Sequence, residues 1–131
     1  MKNFKIINKK KAKPFFSIIT VVKNDEINIK KTIESIINQT FKDFEYIIID
    51  GKSSDTTLNK IFHFKKKIDT IVSEKDRGIY YAMNKGAKIS NGKVILYVNS
   101  GDLLTKNALK IIRKKFNDYK DIGFIFGTVK R

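Results

Sequence analysis

The sequence alternates apolar runs of strand length with segments of helical periodicity, and this alternation limits the chain to an α/β fold. The first apolar run, FFSIITVV (15–22), is continuous and has the length of a strand buried on both faces. The next segment, NIKKTIESIINQ (28–39), carries isoleucines at helical spacing, which predicts a helix with Asn24 or Asp25 as its N-cap. Strands and helices that alternate in this way favour parallel strands joined by helical crossovers.

Further strand-like segments follow at residues 44–50, 68–73, 93–99 and 122–129. Helical segments separate them: one that Asp55 can cap, one formed by IYYAMNKGAKI (79–89), and an amphipathic one at 104–116. The order βαβαβαβαβ predicts a mostly parallel, doubly wound, Rossmann-like sheet with helices on both faces, in three layers. We assign residues 15–131 to this domain and residues 1–14, which include six lysines and no acid, to a basic lead.

The chain is strongly basic, but its composition argues against specific nucleic-acid binding. There are 28 Lys and Arg residues against 13 Asp and Glu, a formal charge of +15. Only Arg77, Arg113 and Arg131 are arginines, whereas readout of base edges relies on the bidentate Arg side chain. We attribute most of the charge to a lysine-rich composition; attraction to an anionic membrane or acidic substrate, and nucleic-acid binding, stay open as alternatives.

The inventory of side chains limits the possible chemistry. The chain has no Cys and one His, which excludes zinc, iron–sulfur and thiolate sites, so that any metal must be bound by oxygen. No apolar run approaches the ~20 residues of a membrane span, and the N-terminus lacks the apolar core of a signal peptide. We therefore expect a cytoplasmic protein.

Acidic residues follow three of the predicted strands: Asp50, then Glu74 with Asp76, then Asp102. Because ligands of open α/β sheets bind beyond the carboxyl ends of the strands, we expect these carboxylates to meet in one crevice. Neither G-x-G-x-x-G nor G-x-x-x-x-G-K-[ST] is present, so a phosphorylated ligand would need a cation and a carboxylate-bound metal. Mg²⁺ or Mn²⁺ fits this requirement, and Asp102 is the best candidate ligand.

Five segments, in their order and spacing, resemble the nucleotide-binding half of bacterial family 2 glycosyltransferases, which have a GT-A fold. They lie within SIITVVKND, TIESIINQTFKDFEYIIIDGKSSDTTL and SEKDRGIYYAMNKGAKISNGKVILYVNSGDLL, and the similarity covers residues 16–127. The resemblance implies transfer of a sugar from a nucleotide-sugar, a UDP-sugar in the first instance, to an acceptor hydroxyl with inversion. It further implies surface polysaccharide or glycolipid synthesis, with the protein at the inner face of the plasma membrane.

The resemblance also implies roles for single residues. Those expected at the nucleobase are Thr20, Val22, Asn24 and Asp50. Those expected along the nucleotide and the sugar phosphate are Asp76, Arg77 and Gly78. The metal motif falls on Asn99-Ser100-Gly101-Asp102, where this chain keeps one acid while many family members have two or more.

The general base of the family is a carboxylate in the acceptor-binding half. The acids after Asp102 in this chain are Asp118 and Asp121, which flank the last predicted helix, and we nominate neither. We expect the base to lie outside this chain. The chain would then hold the donor-binding part of an enzyme with a saccharide or lipid-linked acceptor, and be slow or inactive alone.

Two other interpretations stay open. One is a non-catalytic nucleotide- or nucleic-acid-binding module; if its basic face binds nucleic acid, that binding would depend steeply on salt and not on Asp50 or Asp102. A receiver-like phosphoacceptor domain also has five strands with acids at their ends, but KNDE and SEKD match its acidic pattern only loosely.

Overall fold

The computed structural model describes residues 3–8, 12–125 and 127, which form a five-stranded sheet with helices on both faces. The strands are β1 (Phe4–Ile7), β2 (Phe16–Val22), β3 (Phe44–Asp50), β4 (Thr70–Ser73) and β5 (Val94–Tyr97). The helices are α1 (Ile29–Ile37), α2 (Thr57–His63), α3 (Ile79–Ile89) and α4 (Ala108–Asp118), with a 3₁₀ turn at Lys65–Lys67. The predicted α/β fold with a mostly parallel sheet is confirmed.

The order of the strands across the sheet is β1-β4-β3-β2-β5. β2 pairs in parallel with both β3 and β5, β3 pairs in parallel with β4, and β1 runs antiparallel to β4. The chain thus proceeds outward from β2 through β3 and β4, and then returns to place β5 on the other side of β2. The strand order switches between β2 and β5, which is where open α/β sheets bind their ligands.

Isoleucine fills both cores of this three-layer arrangement. On one face, Ile18 and Ile48 pack with α1, α2 and α4 around buried Ile33 and Leu109. On the other face, Ile19, Ile47 and Ile49 pack against Ala82 of α3. Successive residues of a strand point to opposite faces, so the continuous isoleucine runs of β2 and β3 serve both layers at once.

The edge strand β1 lies within the segment assigned to the basic lead, where we predicted no strand. Phe4 and Ile6 are half-buried while Lys5 and Ile7 face solvent, which is the alternation of a half-buried strand. The Phe4 ring lies 5.4 Å from the Phe62 ring, centroid to centroid. The lysines around this short pattern obscured it in the sequence.

The strand predicted at 122–129 is not present in its described residues. Residues 122–125 and 127 belong to no strand, and Phe124 is 75% exposed. An apolar run forms a strand only where it can pair with the edge of a sheet. In the described ranges this run does not pair with β5, the strand at that edge. Residues 126, 128 and 129 of this prediction lie outside the described residues.

The helix starts agree with prediction in one case and differ in another. Asp55 Oδ1 accepts a hydrogen bond of 2.9 Å from the backbone N–H of Thr57, the first residue of α2, as predicted, although the N-cap position itself is Thr56. α1 begins at Ile29, later than a cap at Asn24 or Asp25 implies, and its N-cap Asn28 makes no side-chain capping bond. Asp25 instead accepts a hydrogen bond of 2.9 Å from the Asn28 side chain, and this bond closes the turn that precedes the helix.

Candidate functional site

A pocket of about 280 Å³ lies where the strand order switches, at the carboxyl ends of β2 and β5. Val21, Val22 and Lys23 form one side of it, and Asn99 and Ser100 form another. Gly51, Asp76 and Gly78 close the pocket from the loops after β3 and β4 and from the start of α3. It therefore has the position that the fold class predicts for a ligand site.

A second cavity, of about 390 Å³, lies at the other side of α3 between β1, β4 and the end of that helix. Its lining includes Lys5, Glu74, Lys85 and Lys88. Although it is larger, it borders the antiparallel edge of the sheet and not the switch point. We therefore take the smaller pocket as the candidate site.

Asp50, the acid at the end of β3, is fully buried and joins the end of β3 to the end of β4 and to the loop after β3. Its Oδ1 accepts a hydrogen bond of 2.5 Å from the Ser53 hydroxyl, and its Oδ2 accepts bonds from the Ser73 hydroxyl at 2.7 Å and from the Ser53 backbone N–H at 3.1 Å. The structure thus gives Asp50 an architectural role. Its contact with a nucleobase stays a prediction, and the carboxylate in this state offers no exposed surface for it.

Asn24 has a similar linking role between the loops after β2 and β3. Its Oδ1 accepts a hydrogen bond of 2.7 Å from the Ser54 backbone N–H, and its own backbone N–H donates to Ser53 Oγ at 2.8 Å. Its backbone has a φ of +50°, in the left-handed region that Asn tolerates better than most residues. The side-chain oxygen predicted to meet a nucleotide is therefore already bound to the neighbouring loop.

Thr20 is not brought to the pocket. Its side chain is fully buried, its hydroxyl bonds the Val98 carbonyl at 2.6 Å, and it lies 2.8 Å from the hydroxyl of buried Tyr46. Burial raises the pKa of the Tyr46 hydroxyl well above its ordinary value of 10.0, and the hydrogen bond with Thr20 only partly offsets this. Val21 and Val22, the next residues along β2, form the pocket wall.

Asp76 is the predicted site residue whose environment most suggests a ligand. Only 7% of its side chain is exposed, and Oδ1 is paired with the Lys85 ammonium group. Oδ2 is buried and has no hydrogen-bond partner among the described residues. It lies beside Gly51 in the pocket wall, 3.5 Å from where a Cβ on that glycine would stand. A buried carboxylate oxygen without a donor is costly, so this atom marks a place for a donor from outside the protein.

Arg77 and Gly78 follow at the entrance to α3. Arg77 is exposed and makes no hydrogen bond or ion pair with any described residue. Gly78 has a φ of +119°, which residues with a Cβ rarely adopt, and it is the N-cap of α3. Gly78 thus turns the chain so that its own backbone and Ile79 line the pocket.

The loop after β5 holds Asp102 at the surface. Gly101 has a φ of +97°, and its backbone N–H donates to Thr32 Oγ1 of α1 at 3.0 Å. Asn99 Oδ1 accepts a hydrogen bond of 3.3 Å from the Val21 backbone N–H, and Ser100 Oγ donates to Asp25 Oδ2 at 2.7 Å. Asp102 itself is exposed, so its carboxylate is accessible to a ligand.

The donor groups around Asp102 fit a metal shared with a bound diphosphate, and they do not fit a cage made by the protein alone. No group of three or more His, Cys, Asp or Glu side chains with metal-site spacing occurs in the described parts of the chain. Asp25 and Asp50 already accept hydrogen bonds on both oxygens. Mg²⁺ commonly takes one or two carboxylates together with substrate phosphates, which is the set that Asp102 can complete.

Sequence reasoning missed two charged residues of the pocket, Lys23 and Asp25. Both lie in the glycine-free turn after β2, where Asp25 was considered as a helix cap and, within KNDE, as part of a loosely receiver-like acidic pattern, but not as a residue of this pocket. Their position directly after a buried strand could have indicated them, because such loops carry the ligand contacts of α/β folds. Separately, no helix in the described ranges is long and apolar enough to cross a membrane.

Comparison with known proteins agrees with the resemblance noted in the sequence. The family model described as "Glycosyl transferase family 2" matches residues 17–131. A PGL/p-HBAD biosynthesis glycosyltransferase of Mycobacterium bovis (strain BCG / Pasteur 1173P2) is 30% identical over 122 residues, which are 90% of this chain and 48% of the relative. The UDP-Glc:alpha-D-GlcNAc-diphosphoundecaprenol beta-1,3-glucosyltransferase WfgD of Escherichia coli is 31% identical over 113 residues, or 86% of this chain and 44% of the relative.

One solved structure with a similar fold is a complex with a nucleotide-sugar. S. aureus TarS 1-349 in complex with UDP-GlcNAc matches with a TM-score of 0.72 and 25% identity, over 80% of this chain and 32% of TarS. The chain spans about half the length of the curated relatives described above. The fold is that of GT-A glycosyltransferases, and the chain belongs to glycosyl transferase family 2.

Proposed function

We propose that the pocket between β2 and β5 binds a nucleotide-sugar, most simply a UDP-sugar, as the donor for glycosyl transfer. The observation that carries this proposal is the buried, unpartnered Oδ2 of Asp76 in the wall of the pocket at the switch point. A nucleoside has hydroxyl and imino N–H groups that can donate to such an oxygen. The UDP-GlcNAc complex of TarS and the UDP-Glc donor named for the E. coli relative support uridine as the nucleoside.

The charges around the pocket suggest how the donor is oriented. The carboxylate of Asp76 disfavours a phosphate beside it, so the nucleoside occupies the end near Gly51 and Asp76. Arg77, which lies between Asp76 and Gly78 in the chain, and Asp102, which follows Asn99 and Ser100 of the lining, are exposed, and we assign the diphosphate to them; Lys23 lies beside Gly51. Arg77 has no ion pair among the described residues, so its guanidinium group is available for phosphate oxygens.

We further propose that the site uses Mg²⁺ or Mn²⁺, held by Asp102 together with the diphosphate. Such a metal supplies electrostatic stabilisation of the negative charge that develops on the leaving diphosphate. Arg77 contributes to the same stabilisation from the loop after β4. Thr32 and Gly101 keep the Asp102 loop against α1 through their hydrogen bond of 3.0 Å.

The acceptor and the general base complete the proposal. We propose a saccharide or lipid-linked acceptor hydroxyl and inversion at the anomeric carbon, in surface polysaccharide or glycolipid synthesis. We nominate no base among the described residues of this chain, which spans about half the length of its relatives. We expect the chain by itself to bind the donor and to transfer slowly or not at all.

The charge of +15 suggests the place of action. A lysine-rich surface is attracted to anionic lipids by ~1 kcal/mol per basic residue near the membrane. We propose peripheral contact with the inner face of the plasma membrane, where lipid-linked acceptors would be available. Vesicles with and without phosphatidylserine, compared at two salt concentrations, test this contact; equal co-sedimentation with both would refute it.

Calorimetric titration tests the donor site. UDP, UDP-Glc, UDP-GlcNAc and GDP are titrated with and without Mn²⁺ into the wild type and into Asp102→Ala. We expect uridine nucleotides to bind more tightly with Mn²⁺, and Asp102→Ala to weaken that binding about tenfold, or about 1.4 kcal/mol. Asp118→Ala removes another exposed acid, at the end of α4, and is the matched control.

Two outcomes would overturn the proposal. One is that no nucleotide binds, and the other is that Asp102→Ala and Asp118→Ala behave alike in the presence of Mn²⁺. If instead single-stranded oligonucleotides bind with a steep dependence on salt and without dependence on Asp102, the non-catalytic nucleic-acid module is the correct interpretation.

A further inference from the structure

Lys85 of α3 lies outside the donor pocket, but it contacts the carboxylate that lines the pocket. Its Nζ pairs with Asp76 Oδ1 and, at 2.7 Å, with Glu74 Oε1. About a third of the Lys85 side chain (31%) is exposed, in the second cavity on the other side of Asp76. The Asp76 carboxylate therefore separates two environments, with Lys85 on the Oδ1 side and the donor pocket on the Oδ2 side.

We propose that Lys85, anchored by Glu74, is a positioning residue that holds Asp76 with Oδ2 toward the nucleoside. This inference rests on the proposed donor site. The Lys85 ammonium group fixes Oδ1 of the Asp76 carboxylate. Oδ2 then has one orientation and can accept a hydrogen bond from the ligand. The arrangement selects against a phosphate at this end of the pocket, because the oxygen presented there is negatively charged.

The electrostatics of the cluster support a charged Lys85. Desolvation lowers the pKa of its ammonium group, but the hydrogen bonds to Asp76 and Glu74 outweigh this and the net pKa is raised. Without Lys85, the nearly buried Asp76 would lack a partner on both oxygens and would lie near a second carboxylate, that of Glu74. A buried charge that loses its partner tends to rearrange toward water, so Asp76 would leave its position in the pocket wall.

The local structure explains why Lys85 can reach Asp76. Gly78, at φ +119°, turns the chain sharply between the two residues and starts α3, so that the helix runs back past the loop after β4. Gly86, the next residue, lets α3 approach the sheet, since a Cβ there would lie 2.5 Å from Ile19 Cγ2. Lys85 thus projects from a segment of the helix whose distance from the sheet is fixed by packing.

The test compares four variants by UDP titration and thermal unfolding. Lys85→Met keeps the aliphatic stem and removes the charge, and we expect UDP affinity to fall about tenfold. Lys88→Met removes a charge from the same helix and the same second cavity without touching Asp76, and we expect no change beyond twofold. Lys85→Arg restores the cation and should keep most of the affinity. If Lys85→Met does not fold, Glu74→Gln, which removes only the outer anchor, should lower the affinity about threefold.

A double-mutant cycle separates positioning from simple structural support. If Lys85 acts through Asp76, the double variant Asp76→Ala with Lys85→Met binds UDP within twofold of Asp76→Ala alone. Additive losses, or Lys85→Met binding like the wild type, would overturn the positioning role while leaving the donor site intact. Failure of the wild type to bind UDP would be a different result, since it overturns the proposed function and this inference with it.

Discussion

Gly92 lies in the turn between α3 and β5, and replacing it with alanine should destabilise the protein strongly. A Cβ on Gly92 would stand 2.5 Å from the Ser17 backbone N and 2.6 Å from the Phe16 backbone C. Both atoms belong to β2, which is paired on both sides and cannot shift without disturbing β3 and β5. The clash therefore has to be relieved by moving the turn away from the sheet.

The magnitude follows from what that movement breaks. Overpacking against rigid structure costs about 1–3 kcal/mol, and here the upper end applies because the contacts are with backbone. The turn would also weaken the hydrogen bond of 2.7 Å from Gly92 N–H to Ser17 Oγ, at about 1 kcal/mol. Together these give about 4 kcal/mol, which lowers the Tm of a domain of this size by about 15 °C.

A series of glycine variants provides the measurement, with unfolding followed by circular dichroism during heating and in urea. Gly86→Ala meets the Ile19 side chain at 2.5 Å, and since a side chain can repack, its loss should be smaller than that of Gly92→Ala. Gly123→Ala is the control, because none of the described atoms lies within 4 Å of its Cβ position. The reasoning fails if Gly92→Ala is no less stable than Gly123→Ala, or if Gly86→Ala is the most damaging of the three.

Three further outcomes are expected. Gly101→Ala, at φ +97°, strains the loop that carries Asp102 by about 1 kcal/mol and should reduce Mn²⁺-dependent UDP affinity several-fold in calorimetry. Asn24→Ala should lose about 1–2 kcal/mol in urea unfolding, and Asn24→Gly should lose less because glycine accepts φ +50°. Burial raises the pKa of Tyr46 above 10.0, so the stability it contributes is complete below pH 10 and declines as the pH rises further. Tyr46→Phe should therefore flatten the alkaline limb of a stability–pH curve.

The sequence was sufficient to predict the strands and helices that position the candidate site. The isoleucine runs of β2 and β3, and the helical spacing of 79–89, predicted elements within one residue of the observed bounds. These patterns are reliable because both faces of the central strands are buried, so the whole run must be apolar. The same reasoning predicted that Asp50, Glu74, Asp76 and Asp102 would meet in one crevice, and this was wrong: of these four, Asp76 alone lines the pocket, Glu74 borders the second cavity, and Asp50 is fully buried.

The direction of single side chains could not be read from the same patterns. In a strand that is buried on both faces, no polar and apolar alternation shows which residues face which layer. Thr20 therefore looked available, whereas its hydroxyl is bonded to the Val98 carbonyl in the core. The pairing of Lys85 with Asp76 is likewise invisible, because a turn at Gly78 separates the two and no periodic spacing connects them.

The acids at the strand ends, which the sequence presents as equivalent, differ in what they can still bind. Asp50 accepts three hydrogen bonds inside the protein. Asp25 accepts one hydrogen bond from Ser100 and one from Asn28. Asp76 retains one oxygen without a donor from any described residue, and Asp102 is exposed to solvent. The first two join neighbouring loops, whereas Asp76 lines the pocket and Asp102 follows Asn99 and Ser100, which also line it. The proposed nucleoside diphosphate would offer a hydrogen-bond donor to Asp76 at one end and, with the proposed metal, an anionic group to Asp102 at the other.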